Sequence, residues 1–352
     1  MNNIKIAEKM KGQIEIFSGI VSKGLPKTAI RFIEEAIYGI QAKQSVRLTE
    51  LSRSLNELTS LKKRQERLCR QLAREGLGQQ ISKNIVEAGS LRIKDDTLLI
   101  LDISDITKKY AKKMEYFAGV RDGSEGKITK GYHLIQIIGA EQDRVAITPL
   151  YGHLYSQDAP EYESENKEML KGIDLVRAYT HNRGIWVIDR AADRRNILGP
   201  LLDRQQRFII RLTKKRDLLY RGNRINVVQL AQECPTYAIE RILQNHNGKE
   251  RIYHAQIGYR SVKLPGYQQQ LYLVVIKGVG KEPMMLLTNI KMGKSRKLLT
   301  FILYSYLRRW QIEDTLRFVK QSYQIEDIRL LTYRRLQNMM ALVVATMYFC
   351  CV

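Results

Sequence analysis

Cysteine is scarce in this chain of 352 residues, and the four present (Cys69, Cys234, Cys350 and Cys351) form no C-x-x-C pair. A zinc module and a disulfide framework are therefore not expected. The five histidines (His133, His153, His181, His246 and His254) show no H-x-x-x-H spacing, so His-based zinc or triad chemistry has no local support. Seven prolines and 23 glycines are too few for a collagen-like or linker-dominated chain. A phosphate loop fails at Gly126-Lys127, where Arg121 replaces the first glycine and Ile128 the Ser/Thr. The segment KGVGKEP lacks the third glycine of a dinucleotide fingerprint. No signal peptide opens the chain. The longest apolar run, MMALVVATMYFCCV from Met339 to Val352, has 14 residues, short of the roughly 18 of a membrane span. It reads as a buried helix, and its lack of a polar tail implies a further C-terminal segment. A cytosolic protein of bacterial type, associated with the nucleoid, is the simplest class.

Positive charge is abundant. Lys and Arg number 59 against 36 Asp and Glu, a formal net charge of +23, on a chain that is 44% hydrophobic and so globular. Such an excess calls for a phosphate-rich partner, nucleic acid before membrane. It is uneven. Residues 1–90 carry +7, residues 91–200 carry zero with 17 charges of each sign, residues 201–300 carry +13, and residues 301–352 carry +3.

Residues 1–90 read as helices. Pro26 starts one, and SVRLTELSRSLNELTSLKKRQERLCRQL gives two amphipathic helices with a break near Thr59-Ser60. Short paired helices with basic outer faces suit either a DNA-reading module or a solvated bundle. From residue 91 a β-β-β-α-β-α-β order is expected: TLLILD, YHLIQIIGA, DRVAITPLYG, a helix closing at Gly184, IWVID, a short helix capped by Asp193, and RFIIRL. Residues 213–297 alternate and carry Tyr, Val and Ile, the pattern of an antiparallel meander. A long helical region starts near Arg296. The expected division is thus 1–90, 91–212, 213–297 and 298–352.

Two strands end on carboxylates, Asp102 after TLLIL and Asp189 after IWVI. Side by side in a mixed sheet they would form a hard-oxygen site suited to Mg²⁺ or Mn²⁺. A strand-end Asp is also an ordinary turn residue, with Asp105 and Asp193 nearby as competitors. The segment YLRRWQIEDTLRFVK places Tyr306, Arg309, Glu313 and Lys320 within about 60° of arc on one helical face. Phe301, Ile312, Leu316 and Val319 form an adjoining apolar stripe. Such a file can bind metal and phosphate together, or be a salt-bridged surface.

With these residues the chain resembles the cut-and-paste DDE transposases of the insertion-sequence-four type. Their Tyr-x2-Arg-x3-Glu-x6-Lys signature is matched at every fixed position. LLILDISDITK and VIDRAADRRNIL resemble the two aspartate segments, and LTELSRSL with KKRQERLCRQL is similar to a short DNA-binding region. The resemblance implies an α/β, ribonuclease-H-like fold with a β-rich insertion before the last catalytic helix. It implies a metal-binding triad of Asp102, Asp189 and Glu313 holding two Mg²⁺ or Mn²⁺ ions. It implies contacts from Tyr306, Arg309 and Lys320 to DNA phosphates, with terminal inverted repeats and target DNA as partners and a homodimer on DNA. The implied reaction is hydrolysis at the transposon end followed by strand transfer. Some relatives pass through a hairpin and hold a flipped base on an aromatic of the insertion; here the insertion has tyrosines, and the two tryptophans, Trp186 and Trp310, lie elsewhere. A DNA-binding remnant and a ribonuclease-H-like nuclease or resolvase are the alternatives.

Overall fold

A computed structural model describes residues 3–108, 111–121, 123, 126–246 and 249–352. Five helices come first: α1 (Asn3–Val21), α2 (Lys27–Lys43), α3 (Leu48–Ser54), α4 (Leu61–Leu72) and α5 (Leu77–Ser90). Pro26 precedes α2 with extended backbone, and Ser60 caps α4 by accepting from the Lys63 N–H, which accounts for the break there. Strands β1 (Leu98–Thr107), β2 (Ala118–Arg121), β3 (Ile128–Ala140) and β4 (Ile147–Tyr155) follow, then α6 (Glu165–Thr180), β5 (Ile185–Ile188), α7 (Arg195–Asp203) and β6 (Phe208–Arg211). The order holds one strand more than expected. β2 forms in the Gly- and Lys-rich stretch read as a loop, of which residues 122, 124 and 125 lie outside the described residues. Helix α6 stops at Thr180 because His181 and Asn182 take the left-handed conformation themselves, two residues before Gly184.

β4-β3-β1-β5-β6 is the ribonuclease-H-like arrangement: β3 runs antiparallel to β1 and β4, while β5 and β6 run parallel to β1. A second segment extends it. The hairpin β7 (Asp217–Tyr220) and β8 (Asn223–Asn226) and the short α8 (Val227–Gln232) precede β9 (Ala238–His246), β10 (Lys249–Val262), β11 (Leu271–Lys277) and β12 (Met284–Thr288). The last four make an antiparallel meander, and β12 pairs antiparallel with β6, so one sheet of ten strands runs through both segments. Its central strands are near-continuous apolar runs because both faces are covered. The helices α9 (Arg296–Arg308), α10 (Trp310–Ser322) and α11 (Tyr333–Cys351) complete the chain. The apolar C-terminal run is the buried body of α11, packed on β4 and α5; at Gly152 a side chain would meet the Val344 side chain at 2.4 Å, so α11 packs its valine directly on the β4 backbone. No helix among the described residues is long and apolar enough to cross a membrane.

Asp193 is not the helix cap expected. Arg194 occupies the cap position of α7, and the Asp193 carboxylate is fully buried. It accepts from the N–H and hydroxyl of Thr213, both at 2.7 Å, and from Arg216 Nε at 2.7 Å. It therefore clamps the turn that leads from β6 into the β7–β8 hairpin. Replacing an N-cap costs about 1 kcal/mol, whereas stripping a buried carboxylate from its donors costs about 3–5 kcal/mol. Urea titration of Asp193→Ala should show a loss in the second range; a loss near 1 kcal/mol would mean that the clamp contributes little.

Candidate active site

The parallel register of β1 and β5 aligns Leu101 with Ile188. The next residue of each strand is Asp102 and Asp189, so the two carboxylates leave adjacent strands about 4.8 Å apart. Asp102 is still inside β1, where it accepts from the N–H of Ile103 at 3.0 Å. Asp189 ends β5 and caps a 3₁₀ turn, Arg190–Ala192, by accepting from Ala191 N at 2.7 Å. Burial, and then the charge of Asp189, push the Asp102 carboxyl up to about 7, despite the opposing pull of Arg309.

The signature helix closes over this pair, and it is broken. The N–H of Arg309 bonds to Tyr306 O and that of Ile312 to Arg309 O, both three residues back, so the helix tightens at Arg309 between α9 and α10. The stripe Ile312, Leu316 and Val319 is buried against the sheet, as its spacing predicts. Arg309 is buried and faces carboxylates: Nη2 lies 2.7 Å from Glu313 Oε1 and Nη1 lies 3.9 Å from Asp102 Oδ2. Its guanidinium also lies over the Trp310 ring, 5.3 Å from the centroid. Tyr306 is buried below, its hydroxyl without a partner among the described residues, within the influence of Arg211 and Asp189. Lys320 sits one file along, 3.4 Å from Asp105 and 3.7 Å from Glu326. All six residues singled out in the sequence thus come to one region, and Asp102, Glu313 and Lys320 line an open cleft of about 720 Å³.

The donor chemistry suits a divalent cation in part. Asp102 and Asp189 are hard-oxygen groups on neighbouring strands, and the proton affinity of Asp102 is raised, an arrangement that a cation relieves. Glu313 has one oxygen committed to Arg309. Among the described residues no three His, Cys, Asp or Glu side chains converge closely enough to hold an ion as they stand.

The transposase DDE domain family matches residues 144–350. The chain belongs to that family. The matched span holds Asp189 and Glu313 of this DDE domain and begins after Asp102. No curated protein matches the chain. Among solved structures, the chain is similar to the cryo-EM structure of the piggyBac transposase synaptic complex with hairpin DNA (SNHP), with a TM-score of 0.51 and 11% identity, over 97% of this chain and 72% of that one. At that identity the likeness concerns the fold.

Several residues of the DDE domain's cleft escape a sequence reading. A 3₁₀ turn, Ile325–Asp327, puts Glu326 against Lys320 and the Thr107 N–H and hydroxyl. Buried Lys108 holds that turn by donating to the carbonyls of Ile325, Glu326 and Ile328, and burial lowers its pKa to about 8. Asp327 pairs with Arg47, which ties the turn to the start of α3. The acidic pair Glu326-Asp327 is visible in the sequence, but nothing there points to Lys108 or Arg47 as its partners.

An acid whose pKa is raised on folding stabilises the protein below its unfolded value and loses that contribution as pH climbs to the folded value. In chelator, wild-type stability should therefore fall between pH of about 4 and about 7 through Asp102, by roughly 2–4 kcal/mol. Asp102→Asn should match wild type at the acid end and exceed it at the basic end; parallel stability curves would show that Asp102 is not strained.

Proposed function

We propose that this DDE domain cuts transposon ends and joins the freed 3′-OH to target DNA, with Asp102, Asp189 and Glu313 as metal ligands. The observation that carries the reading is the adjacency of Asp102 and Asp189 across β1 and β5 with Glu313 above them. Mg²⁺ or Mn²⁺, as two ions, supplies Lewis-acid stabilisation of the attacking and leaving oxygens of an in-line phosphodiester displacement. The protein's own part is positional. The two aspartates are held by rigid strands, one by Ile103 and the other by Ala191. Arg309 holds Glu313 at 2.7 Å, and together with Asp102 and Asp189, Glu313 would hold the metal that supplies this chemistry. Lys320, about a quarter exposed, reaches the cleft and contacts DNA phosphate. Tyr306 packs under Arg309, whose guanidinium lies 5.9 Å from its ring centroid, and supports that side chain.

The basic N-terminal helices and the basic residues after 201 grip the transposon ends and the target, and two copies of the chain act together on DNA. The insertion-sequence-four type is the subclass that the Tyr306, Arg309, Glu313 and Lys320 spacing supports.

Purified protein should nick DNA carrying its terminal repeat only with Mg²⁺ or Mn²⁺. Asp102→Asn, Asp189→Asn and Glu313→Gln should each lower the rate by roughly a thousandfold with end binding retained. Protein that binds ends and never nicks would favour a binding-only remnant, and equal cutting of any branched DNA would favour a resolvase. Lys320→Ala should reduce the salt slope of DNA binding by about one. Arg309→Ala should leave that slope unchanged and slow nicking; a slope reduced by one would instead make Arg309 a phosphate contact in the bound state.

A further inference from the structure

On the edge of β10, far from the carboxylates, the sheet has a gap. β9 pairs with β10 only as far as Ala238 with Ile257, and the Tyr237 N–H donates to Ile257 O. The next tie on that edge is Leu219 with Lys263, which exchange both backbone hydrogen bonds. Between them the alternation of an antiparallel strand aims the peptide groups of Tyr259 and Ser261 at the open edge. A concavity of about 680 Å³ opens there. Tyr220, Tyr237, Tyr259 and Tyr267 line it, with Arg221, Arg260 and Lys263, and among the described residues no carboxylate does. Arg260 is spent on structure: it donates to the Tyr220 hydroxyl at 2.6 Å and to the Glu233 carbonyl, and so fixes the Tyr220 ring. Arg221, exposed, lies over the same ring at 5.2 Å.

Tyr267 also lines a second concavity, of about 320 Å³, that adjoins the first. Its polar lining is Ser164, Asn166, Lys167, Arg195 and Asn196, with Lys167 in an exposed pair with Glu163 at 3.7 Å. Gly266, at φ +86°, lets the loop lie against Arg195. The two concavities share Tyr267 and together form a track lined by tyrosines, cations and amides.

We propose that this track binds an unpaired DNA strand, its bases stacked on the tyrosines and its phosphates met by Arg221, Lys263, Arg195 and Lys167. Tyr237 is exposed and the other three rings are partly exposed, which is of use to a strand whose bases are free, since every base offers a π face, and a lining rich in cations favours a polyanion. A duplex hides those faces and would meet the cations alone. The track is separate from the carboxylate cleft. Arg260 shares a cross-strand row with Ile188 through Leu273, Leu287 and Ile210, four strand spacings or roughly 19 Å away. It therefore stands whether or not the carboxylates cut.

The test uses the full chain in chelator, where no cutting occurs, and an oligothymidylate of about 15 nucleotides carrying 5-iodouracil. Irradiation should attach the probe to peptides containing Tyr220, Tyr237, Tyr259 or Tyr267. Arg221→Ser with Lys263→Ser should weaken single-strand binding about tenfold and lower its salt slope by roughly 1.4. Tyr237→Leu with Tyr259→Leu should weaken single-strand binding similarly, without changing the salt slope or duplex affinity. Adducts confined to the cleft or the N-terminal helices would overturn the proposal. So would tyrosine variants that change duplex and single-strand affinity alike.

Discussion

Two half-buried carboxylates on neighbouring parallel strands, Asp102 and Asp189, repel one another, and much of the surrounding structure answers that repulsion. Asp102 and Asp189 cannot move apart, because β1 and β5 are locked in register by four pairs and buried on both faces. The nearest internal cation is Arg309, placed at a local tightening between α9 and α10 and packed beside Trp310. The same guanidinium ties Glu313, so a strand carboxylate and a helix carboxylate, Asp102 and Glu313, share one positive charge. Such a site is uncomfortable when empty and favourable when a divalent cation enters, which is the usual compromise between stability and function.

The remaining charge is distributed in keeping with this. The segment holding both aspartates is neutral, whereas the segment after 201 carries +13. The meander extends the core sheet itself through the β6–β12 pairing, so its cations stand on the same sheet as the carboxylates. The N-terminal helices are tied to the cleft by another route. Arg47 pairs with Asp327, Lys108 holds the carbonyls of that turn, and Glu326 of the turn faces Lys320. The start of α3 and a cleft lysine are thereby joined by contiguous polar contacts.

Much of the core is legible in the amino-acid sequence. Short apolar runs ending on Asp102 and Asp189, the helical stripe Ile312, Leu316 and Val319, and the apolar body of α11 all declare themselves by local pattern. Less legible features depend on competition between neighbours. His181 and Asn182 end α6 ahead of Gly184, β2 forms because β3 offers it an edge, and Asp193 leaves a capping role because Thr213 and Arg216 arrive from the far end of β6. The signature face also hides its own exception. Ideal geometry of about 100° per residue places Arg309 in file with Lys320, yet Arg309 is buried on carboxylates and Lys320 is open to the cleft.

The chain alone determined the elements, the strand-end acids and the sign of the partner's charge, since hydrophobic period, turn chemistry and net charge are local or additive properties. Tertiary structure decided which acids meet, which cation is spent inside and where the tyrosines gather. Those depend on strand register and on contacts such as Arg309 with Asp102 or Lys108 with Ile325, between residues some 207 and 217 positions apart, and no local pattern encodes a distance of that kind.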